Sequence, residues 1–429
     1  MTKIVIIGAG SQFGGKLSRD ILSLPALADS HICLCDINAE RLALTEAYVR
    51  RMIDGHGLKA TLTTSTERKT LLPGADFVVV SVSVGGAAYS GHPVTAEVEI
   101  PRKYGISQSV ADTVGVGGIF RFLRTGPEQL AICRDMEDLC PDALMLNYTN
   151  PMCMLTWVHS RASGIKNVGL CHSVQHTAHQ IESYTGLERD TMRYLCAGIN
   201  HQAWYLTLTE SNGEDVYPKL RAALEDSEIV AKDNIRFELY KHFGWFVTES
   251  SRHCSEYHPY FRRNPELMAH YNLTDWHPPT EAAAPRTWLK DENELPPLTP
   301  SVEYASKIIE AVVTDAPYRF NGNVMNDGQL IANLPVDCCV EVPCLVDGQG
   351  VQPTRVGALP VQLAHLNLTN IAPQELAVRA VLDRDRDAAY HACLLDPLTK
   401  SVCTLDQTRQ MFDELWDAEG ELLAHFNKK

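Results

Sequence analysis

Cys171 and His172 stand side by side in Gly169-Leu-Cys171-His172-Ser-Val-Gln175, and a further imidazole follows in Gly198-Ile-Asn-His201-Gln202. A thiolate and an imidazole are both good ligands for a divalent ion. Four clustered ligands would mark a structural zinc site. Two protein ligands instead leave positions open for water and substrate oxygens, as an ion used as a Lewis acid requires. By residue type alone, a lone Cys171 or His201 is more often a core residue than a ligand. Their position argues for the metal, because Cys171 closes a strand at the edge where ligands bind in open α/β sheets. His172 is the adjacent titratable group, and an imidazole near neutrality can deliver a proton to a leaving oxygen. Farther on, Glu249-Ser-Ser-Arg-His253-Cys-Ser-Glu-Tyr257-His-Pro-Tyr-Phe261 is dense in titratable groups. Tyr257 could serve as a base if a nearby metal lowered its pKa, although the stretch also reads as ordinary surface and rim.

The elements that must hold these residues begin at Lys3–Ile7, a β-branched strand. It runs into Gly8-Ala-Gly10-Ser11-Gln-Phe13-Gly14-Gly15 and then a helical pattern from Lys16. Strand, glycine turn and helix form the context of a dinucleotide site. Gly8 permits the tight turn, Gly10 admits a pyrophosphate, and the helix N-terminus offers free N–H groups. The usual third glycine is absent, with Phe13 in its place and Gly14 one later. A second strand, His31 to Ile37, carries Asp36, where a carboxylate can accept both ribose hydroxyls and favour NAD over NADP. A turn or helix cap is the alternative for Asp36. Phe77–Val82 reads as a buried parallel strand, followed by a loop to about Ser109. Asp112 precedes Gly115-Val-Gly-Gly118 and a helix over Ile119–Asp138, as either a hydroxyl-binding carboxylate or a cap. Ala143 to Asn147 is a strand ending in Asn150-Pro151, and the Asn150 amide can both donate to and accept from a sugar hydroxyl. Asn167–Leu170 is the last strand before Cys171.

This alternation predicts an α/β fold: a Rossmann-like doubly wound sheet of about six strands over residues 1–195. A C-terminal α+β domain is expected over 196–429 for substrate, metal and oligomerisation. There the rhythm fades. Cys196 to Thr209 reads as one strand, Cys338 to Gly350 as an antiparallel hairpin, and Pro373 to Phe426 as mostly helical. The formal net charge of −15 argues against a nucleic-acid or anionic-membrane surface. No apolar run approaches a membrane span, and the N-terminal apolar run is too short for a secretory signal. The 13 cysteines are expected to stay reduced. Cytoplasm is the expected compartment.

Taken together, certain segments resemble glycoside hydrolase family 4, most closely its bacterial α-galactosidase branch. They are Gly8-Ala-Gly-Ser11, Ala111-Asp-Thr-Val-Gly-Val-Gly-Gly118, Leu123-Arg-Thr125, Asn147-Tyr-Thr-Asn-Pro151, Cys171-His-Ser-Val-Gln175, Cys196-Ala-Gly-Ile-Asn-His201, Phe246-Val-Thr-Glu-Ser-Ser251 and Asn333-Leu-Pro335. The resemblance implies an exception to two-carboxylate glycosidase chemistry. NAD⁺ takes hydride from sugar C3, and a divalent metal, Mn²⁺ by analogy, polarises the C2 and C3 oxygens. A base removes the C2 proton, the C1 substituent is eliminated, water adds, and hydride returns. It further implies Cys171 and His201 as metal ligands, and Asn150 and Asp112 as substrate contacts. His172 falls at the general-acid position, Tyr257 at the base, and Gly8, Gly10, Ser11, Phe13 and Asp36 at the cofactor. Phosphorylated-sugar members carry different residues after the cysteine, so a 6-phosphate substrate is disfavoured and the expected partner is a small-molecule α-glycoside, with a homodimer or homotetramer as the assembly. An α-galacturonidase or α-glucuronidase is the alternative within the family. A 2-hydroxyacid dehydrogenase is the alternative of another class, and a non-enzymatic NAD sensor is a third.

Overall fold

The computed structural model describes residues 1–85, 90–281 and 294–427. The first half is built on short runs that are apolar and buried on both faces at its centre, Ile4–Ile7, Ile32–Cys35 and Phe77–Val80, with the polar, part-exposed Thr61–Ser65 at the edge. The strands are β1 (Lys3–Ile7), β2 (His31–Cys35), β3 (Thr61–Ser65), β4 (Phe77–Val80), β5 (Leu144–Asn147) and β6 (Asn167–Gly169). They pair in parallel in the order β3-β2-β1-β4-β5-β6. The main connecting helices are α1 (Gln12–Leu22), α2 (Ala39–Gly55), α3 (Val94–Lys103), α4 (Gly115–Leu139) and α5 (Met152–Ala162), and α6 (Ser173–Thr185) leaves the sheet after β6. This is the doubly wound sheet expected from the alternation.

The sheet does not stop there. β7 (Arg193–Ile199), β8 (Gln202–Thr209), β9 (Tyr318–Met325), β10 (Cys339–Asp347) and β11 (Gly350–Pro353) extend it. β9 lies antiparallel on β6, with Asn323 opposite Gly169, and the order continues β9-β10-β7-β8 while β11 pairs with β10. Both halves therefore contribute to one core, in which Ile4 and Val168 share a cluster with Val340, Val342 and Phe412. Helices Val361–Asp383, Arg386–Leu395 and Leu405–Glu419 pack on α3, α4 and α5. Among the described residues, no helix is long and apolar enough to cross a membrane.

Three expectations need correction. The run Cys196–Thr209 is not one strand but the β7–β8 hairpin, reversing at Asn200-His201, where His201 holds φ 63°. Apolar residues on both sides of the turn hide it in the sequence. The presumed loop before Ser109 contains α3, whose β-branched residues and internal Pro101 argue locally against a helix. The C-terminal helices begin at Val361, with Pro373 inside the first of them, because buried packing against α4 and α5 overrides the proline signal. The expected hairpin near 338–350 is present as β10–β11.

Candidate active site

The carboxyl ends of β1, β4, β5 and β6 face the same way, and the loops leaving them carry the chemistry. At β1, Gly8 has φ 88°, and a Cβ there would lie 2.0 Å from the Ser81 carbonyl oxygen. Only glycine fits that turn. Asp36 does not cap α2, a task that falls to Asn38. Its carboxylate accepts the Gly10 N–H at 2.8 Å and the Asn38 N–H at 2.8 Å, so it braces the glycine turn from the end of β2. A Cβ on Gly14 would stand 2.0 Å from the Ala9 carbonyl oxygen. Gly14 thus provides the close packing of helix on strand that the usual third glycine supplies one position earlier. Ser11 caps α1, its hydroxyl accepting from the Phe13 N–H at 3.3 Å. The Phe13 ring lies 5.3 Å from that of Tyr148. A bare glycine turn beneath a helix N-terminus, flanked by a strand-end carboxylate, suits a dinucleotide.

At β6, Tyr304 fixes the backbone of Cys171. The Cys171 N–H donates to the Tyr304 hydroxyl at 2.9 Å, and that hydroxyl donates to the Cys171 carbonyl at 2.9 Å. The hairpin turn brings His201 back to the same point, with Cys171 Sγ 3.1 Å from His201 Nε2. Both residues are buried. Burial pushes the Cys171 thiol up, but the His201 charge and hydrogen bond outweigh it and hold the thiol below its ordinary value. Burial acts to lower His201, and the negative charges of Cys171 and Glu249 raise it instead. Each residue therefore favours the charged form of the other, and a divalent ion would take the place of the proton between them.

Two further segments reach this point. Residues 246–248 pair along β8: the Tyr205 N–H donates to the Phe246 carbonyl and the Thr248 N–H to the Ala203 carbonyl. That pairing delivers Glu249, whose Oε2 lies 3.4 Å from His201 Nε2. Burial raises the Glu249 carboxyl, yet the His201 and His253 charges bring it down to about 2. The short helix Ser251–Cys254 then carries His253, whose ring stands 4.8 Å from that of His201. His253 is surrounded by carboxylates, at 3.7 Å from Asp112, 3.9 Å from Glu249 and 3.7 Å from Glu256.

Asp112 is not the cap of α4, where Val114 holds that position without a side-chain bond. It accepts from the Thr113 hydroxyl at 2.6 Å and from the Asn150 amide at 3.2 Å. Burial raises its carboxyl, and the positive charges of His253, Arg121 and His201 more than reverse the effect. The Asn150 Oδ1 is buried without a hydrogen-bond partner, as is the Tyr257 hydroxyl. Tyr257 lies with its ring 6.4 Å from His201, and the Asn370 amide donates to its backbone carbonyl at 3.3 Å. Burial, reinforced by neighbouring anions, pushes its phenol well above the ordinary value. His172 is half exposed, with Nδ1 3.8 Å from Glu303, and Glu303 in turn pairs with Lys16 of α1 at 2.8 Å. A chain of contacts therefore links the helix of the glycine turn to the imidazole beside Cys171.

The structure thus gathers Cys171, His201, Asp112, Asn150 and Tyr257 around one centre. His172 stands at its exposed edge, and the glycine turn lies on the adjoining strand ends. The sequence reading missed Glu249, Glu256, Glu303 and Tyr304 as working parts. Glu249 and Glu256 stood in the titratable stretch around Tyr257, whereas Glu303 and Tyr304 carried no signal.

Residues 3–187 match the family 4 glycosyl hydrolase model, and residues 196–399 match the family 4 glycosyl hydrolase C-terminal domain. An α-galactosidase from Bacillus subtilis is 40% identical over 99% of this chain and 100% of its own length. An α-galactosidase from Rhizobium meliloti is 35% identical over 99% of this chain and 89% of its own. The structure of a 6-phospho-β-glucosidase from Thermotoga maritima with manganese, NAD⁺ and glucose-6-phosphate superposes with a TM-score of 0.78 at 21% identity, covering 98% of this chain and 99% of that one. With both halves matched and relatives aligned from end to end, this chain belongs to the family 4 glycosyl hydrolases.

Proposed function

We propose that the chain is an NAD- and divalent-metal-dependent α-galactosidase acting on melibiose-type α-galactosides. The carrying observation is the 3.1 Å approach of Cys171 Sγ to His201 Nε2 at the carboxyl end of a sheet that also bears a dinucleotide-type glycine turn. The galactoside assignment draws on the α-galactosidases that align with nearly the whole chain. Cys171 and His201 would hold the ion, and Gly8, Gly10, Ser11, Phe13 and Asp36 the dinucleotide. When bound, these groups supply a reversible hydride acceptor for a sugar carbon and positive charge at the oxygens beside it.

This chain's own residues orient the sugar and move protons. Asp112 accepts hydroxyl protons, and the unpartnered Asn150 Oδ1 is a buried acceptor that a sugar hydroxyl can fill. Tyr257 takes the proton from C2. Its burial raises the phenol, so this role depends on positive charge held at the Cys171–His201 centre. His172, at the open edge, gives a proton to the leaving oxygen, with the Glu303 carboxylate 3.8 Å behind its Nδ1. Substrate entry on the His172 side fits its exposure. A homodimer or homotetramer in the cytoplasm belongs to the same proposal.

The test is turnover of an aryl α-galactoside by purified protein supplied with NAD⁺ and Mn²⁺, run in D₂O. Expected results are cleavage, deuterium at C2 of the released galactose, and no accumulation of NADH. Cleavage of the matching α-galacturonide alone would move the assignment to a uronidase. Steady NADH production would move it to a dehydrogenase.

A further inference from the structure

Two protein ligands would leave a divalent ion weakly held at the Cys171–His201 pair. We propose that Glu249 is a third protein ligand, so that the ion is bound by a Cys–His–Glu set. The proposal rests on the reading of Cys171 and His201 as metal ligands. One ligand atom each from Cys171, His201 and Glu249 lie within 4.8 Å of one another. For bonds of about 2.0–2.3 Å, ligands at right angles stand about 3 Å apart and opposed ligands about 4.4 Å. The contacts at 3.1 Å and 3.4 Å from His201 Nε2 fall close to the right-angle spacing.

The two oxygens of Glu249 are used differently. Oε1 accepts the Ser250 N–H at 3.0 Å and lies 3.9 Å from His253 Nδ1. That side is anchored, which leaves Oε2 directed at His201 Nε2, the atom that also faces the thiol. The backbone supports the same end. Glu249 holds φ 77° and His201 φ 63°, conformations that cost non-glycine residues about 1–3 kcal/mol and persist where surrounding structure imposes them. In both cases that structure is the β8 edge: the hairpin turn sets His201, and the pairing of residues 246–248 sets Glu249. A surface ion pair needs no such constraint. Two anionic ligands would also cancel the ion's double charge, so the centre alone would not attract an anionic sugar.

The experiment measures Mn²⁺ binding to metal-free full-length protein by calorimetry, with no turnover involved. The visible and near-ultraviolet spectra of the Co²⁺-loaded protein report the coordination. Wild type is compared with Glu249→Gln, Glu249→Asp and Cys171→Ser, and NAD⁺ affinity and thermal midpoint serve as checks of folding. Glu249→Gln is expected to weaken Mn²⁺ by about 100-fold and to alter the Co²⁺ visible bands, while the thiolate-to-cobalt charge-transfer band survives. Glu249→Asp is expected to recover part of the affinity. Mn²⁺ affinity within threefold of wild type in Glu249→Gln, with an unchanged Co²⁺ spectrum, overturns the proposal. If Cys171→Ser also binds Mn²⁺ as wild type does, the metal reading of the site falls with it.

Discussion

Glu256 offers a direct test of how the substrate side of the site is held. One carboxylate oxygen accepts three consecutive backbone N–H groups, from Ser109 at 2.6 Å, Val110 at 3.1 Å and Ala111 at 3.3 Å. That cradle fixes Ala111 at φ 53° and thereby sets Asp112, while Glu256 itself adjoins Tyr257. Glu256→Gln keeps the shape and removes the charge. Hydrogen bonds to a charged acceptor contribute about 1.5–3 kcal/mol each, against about 1 for a neutral one. Since the three share one oxygen, we take a total loss of about 2 kcal/mol. Expressed in the transition state, this is a loss of about 30-fold in kcat/KM. Glu256→Ala leaves buried N–H groups at Ser109 and Ala111 without an acceptor and should lower the thermal midpoint as well. The assay is steady-state cleavage of an aryl α-galactoside, with Mn²⁺ and NAD⁺ affinities expected to stay unchanged. A Glu256→Gln enzyme within twofold of wild type in kcat/KM would refute the reasoning.

Gly8→Ala sets a methyl 2.0 Å from a backbone carbonyl at φ 88°, and should weaken NAD⁺ by more than about 10-fold in a fluorescence titration. His172→Asn should slow cleavage of an alkyl α-galactoside by about 100-fold or more, yet slow an activated aryl galactoside far less, because only the poor leaving group needs the proton. Glu419 lies buried beside Glu97, where Arg124 forks onto Glu97 at 2.9 Å and 3.0 Å. Burial, then repulsion from Glu97, pushes the Glu419 carboxyl up to about 9. The unfolded chain loses that proton near the ordinary carboxylate value and the native chain keeps it. The associated stability is therefore complete below that value and is lost as pH rises toward 9. Glu419→Gln should flatten the decline in thermal midpoint between pH 5 and pH 9 by about 2 °C or more, measured by calorimetry.

The parallel half was legible because each of its signals is local. A strand buried on both faces must be apolar throughout, as in Phe77–Val80, and a turn against a neighbouring carbonyl must be glycine, as at Gly8. Cys171 could be placed because it comes just after β6, at the carboxyl edge of the parallel sheet. The missed α3 and the hidden turn at His201 failed where tertiary packing overrode local preference.

By itself, then, the sequence determined the Rossmann-like frame, its glycine turn with Asp36, and the candidates at the strand ends. The tertiary structure alone decided what meets them. Glu249 reaches His201 because residues 246–248 lie along the β8 edge, and Glu256 grips residues 109–111 from another segment of the chain. Asp112, between α3 and α4, finds Asn150 beyond the end of β5. No spacing in the chain encodes such meetings. They depend on which edges pair and which helices cover them, and those choices are made by burial of the shared core.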